Sequence, residues 1–343
     1  MPESVTDAGH RLGCVGVLGL GHMGASLAGA LATRVPVLGF DSDARAIAYV
    51  TGTFGVRGAQ SLQELVTQCS VIMIASPTPE VPALRAELDA LAELVGTRPV
   101  VCDIASVKVD LGLGSQRDLA LRFVSLHPMA GREGNGAMSA DPAIFARANW
   151  VVVLTGCEEP EALLMAISIP LALGNGVVPM WLAQHDEAIA LVSTLPHVSA
   201  AALARAVGTS EDRDLLSLLA AGSIRDGVRV ARTDPHRIVE MVYPNRSALR
   251  PAIDALIDEL LACRDHLDDV VWLSEWMGQA HLNASALARE VGEVTHKHVA
   301  LEALGDELGR LASAHRLVVG LDWEATQLRV DSVGYESSRD SAT

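Results

Sequence analysis

The sequence predicts an α/β protein with a doubly wound parallel sheet at its N-terminus and an all-helical domain at its C-terminus. Two observations support this prediction. Over the first 180 residues, short apolar runs alternate with stretches of helical periodicity, which is typical of parallel strands covered by helices on both faces. From residue 181 onward, apolar residues recur at helical spacing, and the one further strand signal lies at 329–333. We therefore expect one domain at 1–180 and a helical domain at 181–333.

The predicted elements follow from these apolar runs and from the helical stretches between them. Seven runs are short enough for buried strands, and they cover 13–18, 35–40, 70–75, 99–103, 122–126, 150–155 and 176–181. Helical stretches are expected at 25–32, 80–95, 107–119 and 158–173, and in the second half at 182–207, 212–221, 235–243 and 247–267. The polar residues 334–343 are predicted to form a disordered tail.

The first predicted strand leads into a glycine-rich turn, Gly19-Leu20-Gly21-His22-Met23-Gly24, with the pattern G-x-G-x-x-G. A strand, this turn and a helix in that order are typical of a Rossmann-like dinucleotide-binding domain. The first glycine permits the tight turn, the second lets the backbone approach a pyrophosphate, and the third lets the helix pack closely. The helix N-terminus then presents N–H groups and a positive dipole end to the phosphates. We predict that these six residues bind the cofactor.

Asp41 ends the second predicted strand, about twenty residues after the first glycine, where an acid typically hydrogen-bonds the adenosine ribose. A carboxylate at this position would repel a 2′-phosphate, so the sequence favours NAD over NADP. The alternative is that Asp41 is a turn or N-cap residue before the helical stretch at 43–50. Ser76 and Pro77, which follow the third predicted strand, complete the predicted cofactor-binding residues.

Composition and charge narrow the class of protein. Apolar residues make up 50% of the 343 residues and charged residues 20%, an ordinary balance for a globular protein. The net charge of −16 argues against nucleic acid or an anionic membrane as a partner. No uncharged apolar run reaches the roughly 18 residues of a membrane span, and the N-terminus lacks the features of a secretory signal. Five scattered cysteines without a C-x-x-C pair argue against disulfides or a zinc site, so we expect no metal and a cytoplasmic location.

Two segments at predicted strand ends carry candidate catalytic residues. The segment from Asp103 to Lys108 begins at the end of the fourth strand, and ligands of open α/β sheets bind outside such ends. Ser106 could hydrogen-bond a substrate, although it could also cap the helix that follows. His127 follows the fifth strand, in the sequence His-Pro-Met-Ala-Gly-Arg-Glu. Because an imidazole has an ordinary pKa of about 6.5, His127 is a candidate general base; the alternative is a buried histidine with satisfied hydrogen bonds.

The helical half contributes a third group of candidates. Thr194-Leu195-Pro196-His197 opens a helix, and Arg225 and Arg229 lie four residues apart in the segment 220–235. On one helix these arginines would share a face, and an arginine fork can hold a carboxylate through two hydrogen bonds. The alternative is a solvated helix face on which Asp226 is their partner.

Together these stretches resemble the prephenate/arogenate dehydrogenase family of tyrosine biosynthesis. The matching sequences are GLGHMG at 19–24, SVK at 106–108, HPMAG at 127–131, LPH at 195–197 and AAGSIRDGVRVARTDP at 220–235. They occur in the family's order and with similar spacing, and HPMAG together with the last segment is the most specific part of the resemblance. The resemblance fades toward the C-terminus.

The resemblance implies roles for individual residues. His127 would be the catalytic base, and Ser106 its hydrogen-bond partner near the substrate hydroxyl and the nicotinamide. Arg229 would hold a substrate carboxylate, and His197 would lie in the substrate site. The other substrate-binding candidates are Lys108, Arg225 and Glu133.

The implied reaction is the oxidative decarboxylation of a small anionic cyclohexadienyl acid, prephenate or arogenate, with NAD as the hydride acceptor. A close alternative is a dehydrogenase for 4-amino-4-deoxyprephenate in secondary metabolism. A β-hydroxyacid or imine reductase would leave HPMAG unexplained, and a non-catalytic dinucleotide sensor would need no base. A homodimer through the helical domain is expected from the long apolar stretch at 182–207, although packing within one chain would give the same pattern.

Overall fold

The structure, a computed structural model, describes residues 12–108, 111, 122–131, 134–287, 291–324 and 327–335. Contacts divide these residues into two compact units. The first unit contains residues 12–182 and 291–335, and the second contains residues 183–287.

One sheet forms the centre of the first unit. Its strands are β1 (Val15–Leu18), β2 (Val37–Phe40), β3 (Arg57–Gly58), β4 (Val71–Ile74), β5 (Val100–Asp103), β6 (Phe123–Pro128), β7 (Trp150–Leu154), β8 (Val177–Trp181), β9 (Val291–Val299), β10 (Leu317–Glu324) and β11 (Gln327–Tyr335). They lie in the order β3-β2-β1-β4-β5-β6-β7-β8-β10-β11-β9. Each of the seven predicted runs contains or overlaps one of the strands from β1 to β8, and the order reverses between β1 and β4, as a doubly wound sheet requires.

The sheet is mostly parallel. The strands from β3 to β6 run parallel to their neighbours, and so do β7 and β8. However, β7 runs antiparallel to β6, with His127 opposite Val151 and Pro128 opposite Trp150. Where the structure describes it, the chain between these strands contains only the short 3₁₀ helices Ala137–Ser139 and Pro142–Phe145. Parallel neighbours are usually joined by a helical crossover, and the described part of this connection contains no α-helix, which accords with the antiparallel direction of β7.

Helices cover both faces of this sheet. The α-helices of the described residues are α1 (His22–Ala32), α2 (Ala44–Phe54), α3 (Leu62–Gln68), α4 (Val81–Val95), α5 (Pro160–Ala172), α6 (Leu182–Ile189), α7 (Leu195–Gly208), α8 (Arg213–Leu219), α9 (Gly222–Gly227), α10 (Pro235–Val242), α11 (Arg246–Asp265), α12 (Val270–Ala286) and α13 (Leu304–Ser313). Side chains along β4 alternate between two apolar clusters, with Val71 and Met73 in one and Ile72 and Ile74 in the other. Most of the predicted helix at 107–119 lies outside the described residues.

The C-terminal strands correct the expectation of an all-helical region up to residue 333. β10, β11 and β9 extend the sheet as antiparallel strands, with Val318 of β10 opposite Val177 of β8. The sequence predicts a strand only at 329–333, because β9 is exposed and polar at its centre and lacks the apolar alternation that indicates a strand. β11 continues to Tyr335, so the expected tail does not begin at residue 334; residues 336–343 lie outside the described residues.

The second unit is helical, as the sequence predicts for this part of the chain. A π-helical segment, Ala190–Thr194, joins α6 and α7 without a break. By length and composition alone, the continuous stretch Leu182–Gly208 could cross a membrane. A helix that packs against a second protein chain can have the same composition, so this single stretch is weak evidence for a membrane.

Candidate functional site

The glycine turn between β1 and α1 is closely packed on one side and open on the other. Gly19 has a φ of +90°, and a Cβ there would lie 2.9 Å from Oγ of Ser76. A Cβ on Gly24 would lie 1.9 Å from the carbonyl oxygen of Gly19, so only glycine lets α1 approach the turn this closely. At Gly21, among the described residues, no atom beyond its two neighbours in the chain lies within 4 Å of the place a Cβ would take. The first N–H groups of α1 therefore border open space, and such helix N-termini are typical binding sites for phosphate groups.

Asp41 follows β2 and binds the glycine turn. Its Oδ2 accepts a hydrogen bond from the Leu20 amide at 2.6 Å, and its Oδ1 accepts one from the Asp43 amide at 2.8 Å. The N-cap of α2 is Asp43, whose side chain accepts from the Arg45 amide. Asp41 thus stabilises the turn before α2 without capping the helix. Each carboxylate oxygen has two lone pairs, so these contacts leave acceptor capacity for a ribose hydroxyl.

The other cofactor-binding candidates surround the same strand ends. Ser76 and Pro77 follow β4, the neighbour of β1, and Ser76 lies against Gly19. His22 begins α1, but its ring is buried and its Nδ1 lies 3.0 Å from Oγ of Ser139, in the connection between β6 and β7. Met23 is partly buried against the core. The His22 and Met23 side chains therefore pack into the protein.

A buried ion pair lies at the end of β5. Asp103 and Lys108 are both fully buried, and the Lys108 ammonium donates a hydrogen bond to Oδ2 of Asp103. Asp103 Oδ2 also accepts from the Ala105 amide at 2.8 Å, and Oδ1 accepts from the Ser125 hydroxyl at 2.6 Å. Lys108 Nζ donates a further hydrogen bond to the carbonyl oxygen of Leu126 at 2.8 Å. The complete burial of Lys108 argues against the contact with substrate that the sequence suggests.

The roles of two of these residues, Ser125 and Asp103, are not predicted by the sequence analysis. Ser125 lies inside an apolar strand and offers no signal, because its importance comes from a partner on the neighbouring strand. Asp103 does offer one: a carboxylate that ends the apolar run Val-Val-Cys-Asp must find partners, since burying an unpaired charge is costly.

His127, near the end of β6, and Ser106, just after β5, lie at the same edge of the sheet because these neighbouring strands run parallel. β5 and β6 pair with Asp103 opposite Ser125. His127 is two residues further along β6 and is buried, and Ser106 is three residues beyond Asp103 and is half-buried. The glycine turn and Asp41 follow β1 and β2, which run in the same direction, so they belong to this edge as well. Glu133 lies outside the described residues.

In the second unit, His197 lies beside the arginine-rich segment. Its Nδ1 is 3.1 Å from the carbonyl oxygen of Val230. Burial, together with the nearby charges of Arg229 and Arg237, lowers the pKa of His197, so the ring is mainly neutral at pH 7. Because a carbonyl oxygen can only accept, Nδ1 carries the proton, and Nε2 of the neutral ring is a hydrogen-bond acceptor.

The two predicted arginines do not share a helix face. α9 ends at Gly227, and a separate 3₁₀ helix, Arg229–Arg232, follows Val228. The expected alignment requires an uninterrupted α-helix, so this prediction is wrong. Arg225 and Arg229 are both exposed within the chain, and Arg229 is the arginine next to the His197 contact at Val230.

The fold of the first unit and its glycine turn define a Rossmann-type dinucleotide-binding domain. Family models described as the prephenate dehydrogenase nucleotide-binding domain and the prephenate dehydrogenase dimerization domain match residues 28–178 and 182–279. The chain therefore belongs to the prephenate dehydrogenase family and is an oxidoreductase of that type.

Similar proteins agree with this assignment. The cyclohexadienyl dehydrogenase of Zymomonas mobilis is 27% identical over 262 residues, which cover 73% of this chain and 87% of that protein. The structure of Synechocystis arogenate dehydrogenase has a TM-score of 0.66 at 27% identity, covering 79% of this chain and 98% of that chain. The structure of A. aeolicus prephenate dehydrogenase in complex with hydroxyphenyl propionate and NAD⁺ has a TM-score of 0.71 at 22% identity, covering 81% and 99%. That last likeness supports the fold alone.

Two glycine substitutions should separate binding from packing. Gly21→Ala should fold normally but raise the Kd for NAD⁺ by about 10- to 100-fold, because the methyl group would occupy the space next to the pyrophosphate. Gly24→Ala should instead lower the melting temperature, because its Cβ would overlap the Gly19 carbonyl. Calorimetric titration and thermal unfolding measure the two effects. Gly52→Ala, in open space on α2, is the control; a Gly21→Ala variant with the wild-type Kd would contradict the open-side assignment.

Proposed function

We propose that this protein catalyses the oxidative decarboxylation of prephenate or arogenate, with His127 as the general base. The products would be 4-hydroxyphenylpyruvate from prephenate and tyrosine from arogenate. The observation that most supports the proposal is the meeting of the glycine turn, Asp41, Ser106 and His127 at one edge of the sheet. A dehydrogenase needs its base and its dinucleotide site on the same side of the fold.

His127 would act on the 4-hydroxyl group of the substrate ring. When bound, the nicotinamide dinucleotide accepts the hydride from C4. As C4 becomes a carbonyl carbon, His127 takes the hydroxyl proton, and Ser106 keeps the oxygen in line through a hydrogen bond. The ring carboxylate then leaves as CO₂, and the oxygen regains a proton as the ring becomes aromatic. Because aromatisation is strongly favourable, the protein mainly has to orient the substrate and move the proton.

Asp41 supports NAD as the cofactor. It follows β2 at the position from which an acid contacts the adenosine ribose, and its hydrogen bond to Leu20 keeps it beside the glycine turn. A carboxylate there repels a 2′-phosphate, so NADP fits less well.

Arg229 and His197 are the residues that we propose for holding the substrate. The guanidinium of Arg229 suits a substrate carboxylate, which it can hold by two parallel hydrogen bonds. His197 complements it, because its neutral ring has an acceptor at Nε2 for a hydroxyl or an amine of the substrate. Arg225 remains a second candidate for a carboxylate.

We also propose a homodimer through the second unit. Residues 182–279 match a dimerization domain, and apolar side chains such as Leu191, Val192 and Leu218 are exposed in the single chain. A second copy that covers them would explain the apolar stretch Leu182–Gly208 without a membrane. If this proposal is correct, the molecular mass measured in solution should be that of two chains.

A cytoplasmic location belongs to the same proposal. The cysteines at 14, 69, 102, 157 and 263 are all free thiols, which fits a reducing compartment. The net charge of −16 makes nucleic acid or an anionic membrane surface an unfavourable partner.

A substrate and cofactor survey tests the proposed reaction. We expect the purified chain to reduce NAD⁺ faster than NADP⁺ in the presence of prephenate or arogenate. Asp41→Asn should weaken this preference, because it removes the charge that repels the 2′-phosphate. 4-Amino-4-deoxyprephenate belongs in the same assay, since turnover of this compound alone would assign the chain to the secondary-metabolism reaction. No turnover of any of the three substrates would contradict the proposal.

Replacement of the base gives the second test. His127→Asn should lower kcat by about 10²–10⁴, the usual contribution of a positioned general base, and leave the Kd for NAD⁺ unchanged. Steady-state kinetics and a dinucleotide titration measure these two quantities. His315→Asn is a matched control, because His315 is exposed and its φ of 51° suits asparagine. Wild-type kcat in His127→Asn would rule out His127 as the base.

Arg229 gives the third test. Arg229→Ala should raise the KM for the cyclohexadienyl substrate by on the order of 10–10³, since a charged hydrogen bond to a bound anion is lost. The KM for NAD⁺ should stay the same. Arg213→Ala removes an exposed arginine of the same unit, which pairs with Asp214 at the surface, and should change neither value. A surface role for Arg229 would predict the same silent result for both variants.

A further inference from the structure

Stability alone does not explain why Asp103 and Lys108 form a buried ion pair. Both side chains have no exposed surface, and they pair directly. Taking two charges out of water costs several kcal/mol per ion, and apolar residues of the same volume often replace such a pair without loss of stability. A buried ion pair is therefore weak evidence for stability, and the groups that this pair holds in place indicate its use.

Two backbone groups are held by this pair, and each adjoins a residue of the proposed reaction. Oδ2 of Asp103 accepts from the amide of Ala105, the residue before Ser106. Lys108 Nζ donates to the carbonyl oxygen of Leu126, the residue before His127. Both contacts are 2.8 Å long, and they connect the chain after β5 to the end of β6. The ladder of backbone pairs between β5 and β6 ends with Asp103 opposite Ser125. The ion pair therefore extends the connection between these two segments toward His127.

We propose that Asp103 and Lys108 are positioning residues that fix Ser106 and His127 relative to each other. The inference rests on the proposed function of His127. In this role Lys108 does not touch the substrate: its ammonium holds a peptide carbonyl, and its charge is balanced by Asp103 inside the fold. Charge-assisted hydrogen bonds to backbone groups are shorter and stronger than neutral ones, so they suit a joint that must hold a base in place.

The double variant Asp103→Asn/Lys108→Met tests the proposal. It removes both charges together, so no unpaired ion is left in the interior, and the asparagine Oδ1 can still accept a hydrogen bond. Lys108→Met leaves the Leu126 carbonyl without its ammonium partner. We expect kcat to fall by about 10- to 100-fold, as for a reacting group displaced by about 1 Å, while the KM for NAD⁺ remains unchanged.

A control removes another ion pair of the first unit, one in which only the carboxylate is buried. Glu307 is buried, and its carboxylate is hydrogen-bonded to Lys297 and Arg310. Lys297→Met/Glu307→Gln also removes one positive and one negative charge, far from the proposed base in sequence, and should leave kcat at the wild-type value. An equal fall of kcat in this control would show that general destabilisation causes the effect, and it would overturn the positioning role.

A double-mutant cycle with His127→Asn tests whether the ion pair acts through His127. If the pair acts through His127, adding Asp103→Asn/Lys108→Met to His127→Asn should lower kcat by less than threefold, because the base is already absent. Losses that multiply fully would overturn the positioning role and leave His127 as the base. If His127→Asn alone retains wild-type kcat, the base assignment is refuted and this inference with it. Wild-type kcat in the double variant, with His127→Asn impaired, would refute the inference alone.

Discussion

The close packing of α1 against the turn that follows β1 is the constraint on which the arrangement of the site depends. At Gly24 there is no room for a methyl group, because the carbonyl oxygen of Gly19 occupies its place. Asp41 holds the same turn from the other side through the amide of Leu20. The start of α1 is therefore fixed at the carboxyl edge of the sheet. Since β1, β4, β5 and β6 all run in the same direction, that edge also receives Ser76, Ser106 and His127.

The chain that leads from β6 to the antiparallel strand β7 connects two parts of this edge, the end of β6 and the glycine turn. The chain from β6 to β7 passes close to α1, where Nδ1 of His22 meets the hydroxyl of Ser139 at 3.0 Å. The Asp141 amide donates to the hydroxyl of Ser26 at 2.9 Å, and that hydroxyl in turn donates to the His22 carbonyl. The connection that follows β6 is thus hydrogen-bonded to the helix that begins at the glycine turn.

Local sequence patterns were sufficient to predict those strands and turns whose conformation depends on residues close in sequence. The seven apolar runs, the glycine turn and the strand ends that carry Ser106 and His127 all follow from residues close in sequence. β9 could not be predicted in this way, because its pairing with β11 determines its conformation and its exposed side chains have no period of two. The helix break at Val228 and the contact of Ser125 with Asp103 share this limitation, since each depends on surroundings that spacing alone does not reveal.

The three C-terminal strands also change which strand forms the edge of the sheet. The family models end at residue 279, and without the later strands β8 would lie at the edge. β8 is apolar, and an apolar strand with unpaired backbone groups is a template for aggregation. In this chain the outermost strand is β9, which carries Glu293, Thr295 and Lys297, and charged residues on an edge strand discourage pairing with another molecule. The added strands therefore give this margin of the sheet a polar border, which disfavours edge-to-edge pairing between molecules.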